Sequence, residues 1–110
     1  MNEVIESAKI DKFSKIIIYG AGEVGKAAGK AAKINSLKVA CFVDRKKSLW
    51  GTGIEGTIVY SLVTALDKYP KVPILIGSFE FLDQIESTIK DMLAEKNLTN
   101  QIFSTKDLCL

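Results

Sequence analysis

The apolar run KIIIY at residues 15–19 stops at Gly20, and AGEVGKAAGKAA follows it directly. Few folds accommodate that junction. A short run rich in β-branched residues reads as a strand buried on both faces, because a half-exposed strand would alternate with polar residues. From Glu23 to about Ile34 the period turns helical, with Val24, Ala28 and Ala31 on one face and Ala27 and Ile34 beside them. Most of these side chains are small, which lets a helix lie close to a sheet.

The alternation repeats along the chain. KVACFVD at 38–44 is a second buried strand and ends in an acid; GTIVY at 56–60, VPILIGS at 72–78 and the closing QIFS are the third, fourth and fifth. A glycine-containing loop with Trp50 and no helical period joins the second and third. SLVTALDKYP is a short helix stopped at Pro70. A longer helix carries Leu82, Ile85, Ile89, Met92 and Leu93 at helical spacing, with Ser78 placed to cap it. Strands alternating with helices predict an α/β fold: a three-layer, doubly wound parallel sheet of Rossmann type, five strands in the order 3-2-1-4-5. A chain of 110 residues, 47% of them hydrophobic, supports one core. Residues 15–110 are therefore expected to form one domain, with 1–14 as a helical or extended arm.

The glycine turn fits two phosphate-binding signatures. Through Gly20, Gly25 and Lys26 it reads G-x-x-x-x-G-K, a P-loop, but the next residue is Ala27, and without a hydroxyl there the magnesium of a nucleoside triphosphate lacks a ligand. Through Gly20, Gly22 and Gly25 it reads G-x-G-x-x-G, which meets its contextual demands: strand, tight turn, close approach to a pyrophosphate, helix. The unpaired N–H groups at a helix start favour a diphosphate without any cationic side chain, so Lys26 is read as a solvated helix residue. Ala21, Glu23 and Val24 lie within the same turn and count with the binding residues.

Asp44 lies about 20 residues beyond the last glycine, at the end of the second strand, where a carboxylate accepts hydrogen bonds from a ribose diol. Arg45 follows and is placed to meet a 2′-phosphate, so NAD is favoured over NADP only modestly. Gly77, Ser78 and Phe79 close the fourth strand and are expected at the same crevice, Ser78 equally as a plain helix cap. Trp50 is read chiefly as an apolar plug between loop and sheet, and alternatively as a cover for a base.

Catalytic groups are not evident. The chain has no histidine, and none of Tyr19, Tyr60 or Tyr69 has a lysine four residues on. General acid-base work would fall to Glu23, Glu55 or Glu80, each read as a surface acid, and no catalytic or metal-binding residue is assigned. Cys41 and Cys109 form no metal or redox motif and are read as inert thiols. Fifteen basic residues scattered among 13 acidic ones make no stripe, so nucleic acid is not expected as a partner. No apolar run approaches the roughly 20 residues of a membrane span, and the expected setting is cytoplasmic.

At KIIIYGAGEVGKAAGKAA, FVDRKKSLWGTGIEGTIVYS and PILIGS the sequence resembles Rossmann-type nucleotide-binding modules attached to sugar-modifying enzymes. These include the N-terminal domains of polysaccharide-biosynthesis nucleotide-sugar dehydratases, sugar acyltransferases, and some methyltransferases and glycosyltransferases. The resemblance spans about Lys15 to Phe103. It implies a binding or regulatory module in nucleotide-sugar metabolism, with Gly20, Gly22, Gly25 and Asp44 at the nucleotide-contacting positions. The implied ligand is NAD(H), or a UDP-sugar as in the acyltransferase type, and the implied partner is a catalytic domain or a second copy. A fragment of a dehydrogenase or epimerase is the enzymatic alternative.

Overall fold

The computed structural model describes residues 14–104. The expected arm over 1–14 lies outside them save for Ser14, as does Cys109. The elements run β1 (Lys15–Tyr19), α1 (Glu23–Ile34), β2 (Lys38–Val43), a 3₁₀ turn (Lys47–Leu49), β3 (Gly53–Ile54), β4 (Thr57–Tyr60), α2 (Leu62–Lys68), β5 (Ile74–Ile76), α3 (Leu82–Glu95) and β6 (Ile102–Phe103).

One six-stranded sheet, in the order β3-β4-β2-β1-β5-β6, organises the chain. All neighbours pair in parallel except β3 and β4, which form an antiparallel hairpin. The five expected strands thus stand in the expected order, and β3 is an addition at one edge. It arises because Glu55 and Gly56 both take positive φ, 49° and 83°, which closes a two-residue hairpin between Ile54 and Thr57. Lys33 of α1 reaches Glu55 at 3.2 Å, an exposed pair that adds little stability by itself. Together hairpin and 3₁₀ turn replace a helix between the second and third expected strands, and Leu49 and Ile54 pack against the core there.

Each sheet face buries one half of the core. Ile16 and Ile18 of β1 face α1, joined by Ala28, Ala31, Ala32, Val39, Phe42, Val59 and Leu75. Ile17 and Tyr19 face α2 and α3, with Cys41, Val43, Leu66, Ile74, Ile76, Ile89 and Leu93. A bulge explains how β2 serves both: Ile16 pairs with Val39 and Ile17 with Cys41, so Ala40 is the extra residue and alternation restarts beyond it. The packed stripe of α1 runs through Gly25, Ala28, Gly29 and Ala32; Ala27 and Ile34, expected beside it, are exposed. Six aliphatic side chains of β1 and β5, Ile16 to Ile18 and Ile74 to Ile76, are fully buried, and burial of each contributes about 1.5–3 kcal/mol. The two central strands are therefore the rigid base on which their carboxyl ends are presented. Burial pushes the Cys41 thiol up to about 12, so it stays protonated and inert at neutral pH.

Among the described residues, no helix is long and apolar enough to cross a membrane.

Candidate functional site

From β1 the chain moves outward to β2 and β4, then returns through α2 to β5 on the other side of β1. At such a reversal the loops after the two central strands part, and a crevice opens at their carboxyl ends. A crevice of about 790 Å³ lies there, between the turn after β1 and the loop after β5.

Close backbone contact builds its floor. At Gly20 φ is +120°, and a Cβ there would meet the Gly77 carbonyl oxygen at 2.8 Å. A Cβ on Gly25 would lie 1.9 Å from the Gly20 carbonyl oxygen, and one on Gly77 would lie 2.9 Å from the Gly25 Cα. Three glycines thus let β1, α1 and β5 touch main chain to main chain. Gly22 differs: a Cβ there has nothing within 4 Å, and its φ of −89° and ψ of −161° suit any residue. The absence of a side chain at Gly22 serves no contact within the described residues. Gly22 is also the N-cap of α1 and supplies no side-chain cap, so the first turn keeps N–H groups free at the crevice.

Asp44 directly follows β2 beside this turn, held by four hydrogen bonds. Its Oδ2 accepts from the Ala21 N–H at 3.0 Å and its Oδ1 from the Lys46 N–H at 2.9 Å. Its own N–H donates to the Tyr60 carbonyl at 3.2 Å, and its carbonyl accepts from Trp50 Nε1 at 2.6 Å. The carboxylate is therefore part of the scaffold as well as part of the crevice wall; each oxygen keeps a further lone pair for a ligand hydroxyl.

Of the residues expected at the site, Gly20, Gly22, Glu23, Val24, Asp44, Arg45, Gly77 and Ser78 line the crevice, with Phe79 and Glu80. Ala21 and Gly25 are buried behind it, Ala21 as the donor that fixes Asp44 and Gly25 as the packing contact. Lys26 lies outside, exposed and 3.8 Å from Glu23. Glu55 lies away from it as the partner of Lys33.

Two expectations are corrected here. Ser78 does not cap α3: its hydroxyl donates to the Glu80 carbonyl and accepts the Glu80 N–H in a local turn, while the N-cap is Phe81 at φ 56°. The helix starts later because this turn satisfies Ser78 first. Trp50 neither plugs the core nor covers the crevice. It is 39% exposed and bound through its indole nitrogen to the Asp44 carbonyl.

The crevice also has a wall that sequence reasoning missed: Tyr19, Phe81, Gln84, Ile85 and Thr88. Phe81 is the N-cap of α3, and Gln84, Ile85 and Thr88 follow at helical spacing on its first turns; only Ile85 belonged to the apolar stripe read from the sequence. Burial raises the Tyr19 phenol above its ordinary value, with Arg45 opposing and Asp44 adding to the effect. Its hydroxyl is thus a neutral hydrogen-bonding group at physiological pH. Phe79 and Phe81 are 61% and 63% exposed, two large aromatic faces turned to solvent at the mouth.

The family model described as C2185-like, N-terminal, matches residues 12–99. No curated protein matches the sequence. Among solved structures, RSP, a Rex-family repressor in complex with β-NADH, aligns at TM-score 0.64 and 17% identity, over 94% of this chain and 59% of its own. RSP in complex with β-NAD+ and operator DNA aligns at TM-score 0.61 and 20% identity, over 87% of this chain and 46% of its own. UDP-D-quinovosamine 4-dehydrogenase from Vibrio fischeri aligns at TM-score 0.56 and 21% identity, over 86% of this chain and 97% of its own. The likeness establishes a Rossmann-like fold, and this chain spans 59% of the NADH-bound repressor.

The exclusion of nucleic acid as a partner is overturned by the operator-DNA complex of the second neighbour. The exclusion rested on the scattered charge of this segment alone. Half of the neighbour lies outside the aligned part, so charge balance within one module does not decide what an assembly containing it binds.

Proposed function

The chain belongs to the C2185-like N-terminal family, and we propose that it is a dinucleotide-binding module whose ligand is NAD(H). The diphosphate lies on the Gly20–Gly25 turn against the start of α1, the adenosine ribose at Asp44 and Arg45, and the far half of the ligand along Gly77, Ser78 and the α3 wall. Ala21, Glu23 and Val24 complete the turn. The observation that carries this reading is Gly22, a glycine that neither backbone conformation nor packing requires, placed where a diphosphate would approach. The neighbour RSP, solved in complex with β-NADH and with β-NAD+, supports it.

Residues 15–110 constitute the module in this reading, with residues 1–14 leading into it. It serves a catalytic domain, a partner chain or a second copy of itself in nucleotide-sugar or polysaccharide metabolism in the cytoplasm. A UDP-sugar in the same crevice is the second reading, favoured by the dehydrogenase neighbour that this chain covers almost end to end. NADP is the variant in which Arg45 meets a 2′-phosphate.

Calorimetric titration of the full chain with NAD+, NADH, NADP+, a UDP-sugar and ATP, each with and without magnesium, separates these readings. Saturable binding of NAD+ or NADH, weaker binding of NADP+ and no gain from magnesium are expected, since Ala27 offers the metal no hydroxyl. Binding of the UDP-sugar alone would transfer the site to the second reading. Magnesium-dependent ATP binding would return it to the P-loop.

A further inference from the structure

Trp50 is the chain's one tryptophan, and its placement is unusual for so large an apolar side chain. It belongs to neither buried core cluster and does not line the crevice. Among the described residues its side chain makes one hydrogen bond, from Nε1–H to the Asp44 carbonyl at 2.6 Å. The loop that carries it is secured separately on its far side: the Trp50 N–H donates to Lys47, the Gly51 N–H to Val59, and the Val59 N–H to Thr52. A loop anchored to β4 therefore extends one rigid donor back to the residue that follows β2.

At Asp44 four segments meet. The Tyr60 carbonyl holds its N–H, the Ala21 and Lys46 N–H groups hold its two carboxylate oxygens, and the indole holds its carbonyl. The first three are backbone groups of elements the fold needs anyway. The indole is the only side chain among them, and it fixes the Asp44–Arg45 peptide, which sets where the Lys46 N–H one peptide further on comes to lie. Rotation of that peptide would carry the Lys46 N–H away from Oδ1 and leave the carboxylate held by the Ala21 N–H alone.

We infer that Trp50 is a positioning residue for the ribose-binding carboxylate, acting through the Asp44 main chain without touching the ligand. This deepens the dinucleotide reading and rests on it. A ligand hydroxyl approaching Asp44 meets a carboxylate already aimed, so the orienting cost is removed before binding. Losing the indole N–H should therefore weaken ligands that carry the ribose diol and spare those that lack its 2′-hydroxyl.

The test compares ADP with 2′-deoxy-ADP on the full chain, in the parent, in Trp50→Phe, and in a chain whose indole at position 50 is replaced by the isosteric benzothiophene, which keeps the shape and lacks the N–H. The parent is expected to prefer ADP, and its tryptophan emission to change as ADP saturates it. Both variants should melt cooperatively, lose about three- to tenfold in ADP affinity, and bind 2′-deoxy-ADP as the parent does. Equal loss for both nucleotides, or an undiminished preference in the benzothiophene chain, would overturn the role of Trp50 while leaving the dinucleotide reading standing. A parent chain that binds neither nucleotide would overturn that reading and this inference with it.

Discussion

Gly22→Val is expected to weaken nucleotide binding by about a hundredfold or more, while the chain still melts cooperatively, within roughly 4–8 °C of the parent. Both halves follow from one position. The backbone at Gly22 has φ −89° and ψ −161°, an extended conformation that valine adopts readily, and no atom lies within 4 Å of the added Cβ. The cost to folding is therefore confined to the poorer N-cap that valine makes, about 1 kcal/mol. A branched side chain in that open space would stand where the diphosphate must approach the first N–H groups of α1, and two charge-assisted hydrogen bonds lost at about 1.5–3 kcal/mol each give at least that factor. Calorimetry with NAD+ beside a thermal melt checks both. Unchanged affinity would mean that the turn serves packing alone.

Gly25→Ala is expected to do the reverse, lowering stability first. Its Cβ would lie 1.9 Å from the Gly20 carbonyl oxygen and 2.7 Å from the carbonyl carbon, both backbone atoms. Neither a rotamer change nor a small shift of a flexible side chain relieves that clash; α1 must move off β1. Gly20 itself is held by its N–H bond to Val43 at 2.6 Å and by its approach to Gly77, so the displacement spreads through the sheet centre. A cost of about 3 kcal/mol is expected, a fall of roughly 10–20 °C in melting temperature for a domain of this size. A melting temperature within 2–3 °C of the parent would contradict this account of the floor.

These two glycines also show what a sequence can and cannot disclose. The spacing of Gly20, Gly22 and Gly25 after KIIIY was enough to place a strand, a turn and a helix, and α1 begins and ends where its apolar period does. Which glycine packs and which stands open was not legible, since that depends on how closely β1, α1 and β5 approach. Gly77 is the plainest case: its place at the end of the fourth strand put it at the crevice, but nothing in IGSF tells that it closes the floor against Gly25 and Ile18.

The order of the parallel strands was legible because buried apolar runs and a reversal at β1 leave few alternatives. β3 was not, being two residues long, although IEGT holds the Glu55–Gly56 pair that makes its hairpin turn. Spacing marked Asp44 as a candidate ribose contact, but its bond to Ala21 depends on the β1–β2 register, shifted by the bulge at Ala40. The α3 wall stayed hidden because Gln84 and Thr88 are polar residues outside the apolar stripe of that helix, and which of its faces meets the crevice depends on how α3 packs on the sheet.

The central claim is that a dinucleotide diphosphate rests on the start of α1. Its most direct test is an amide correlation spectrum of the isotopically labelled chain titrated with NAD+. The resonances of Gly22, Glu23, Val24 and Gly25 are predicted to shift together and saturably, with Asp44, Gly77 and Ser78 following and the far end of α3 unmoved. Shifts confined to other residues, or none with NAD+, NADP+ or a UDP-sugar, would contradict it.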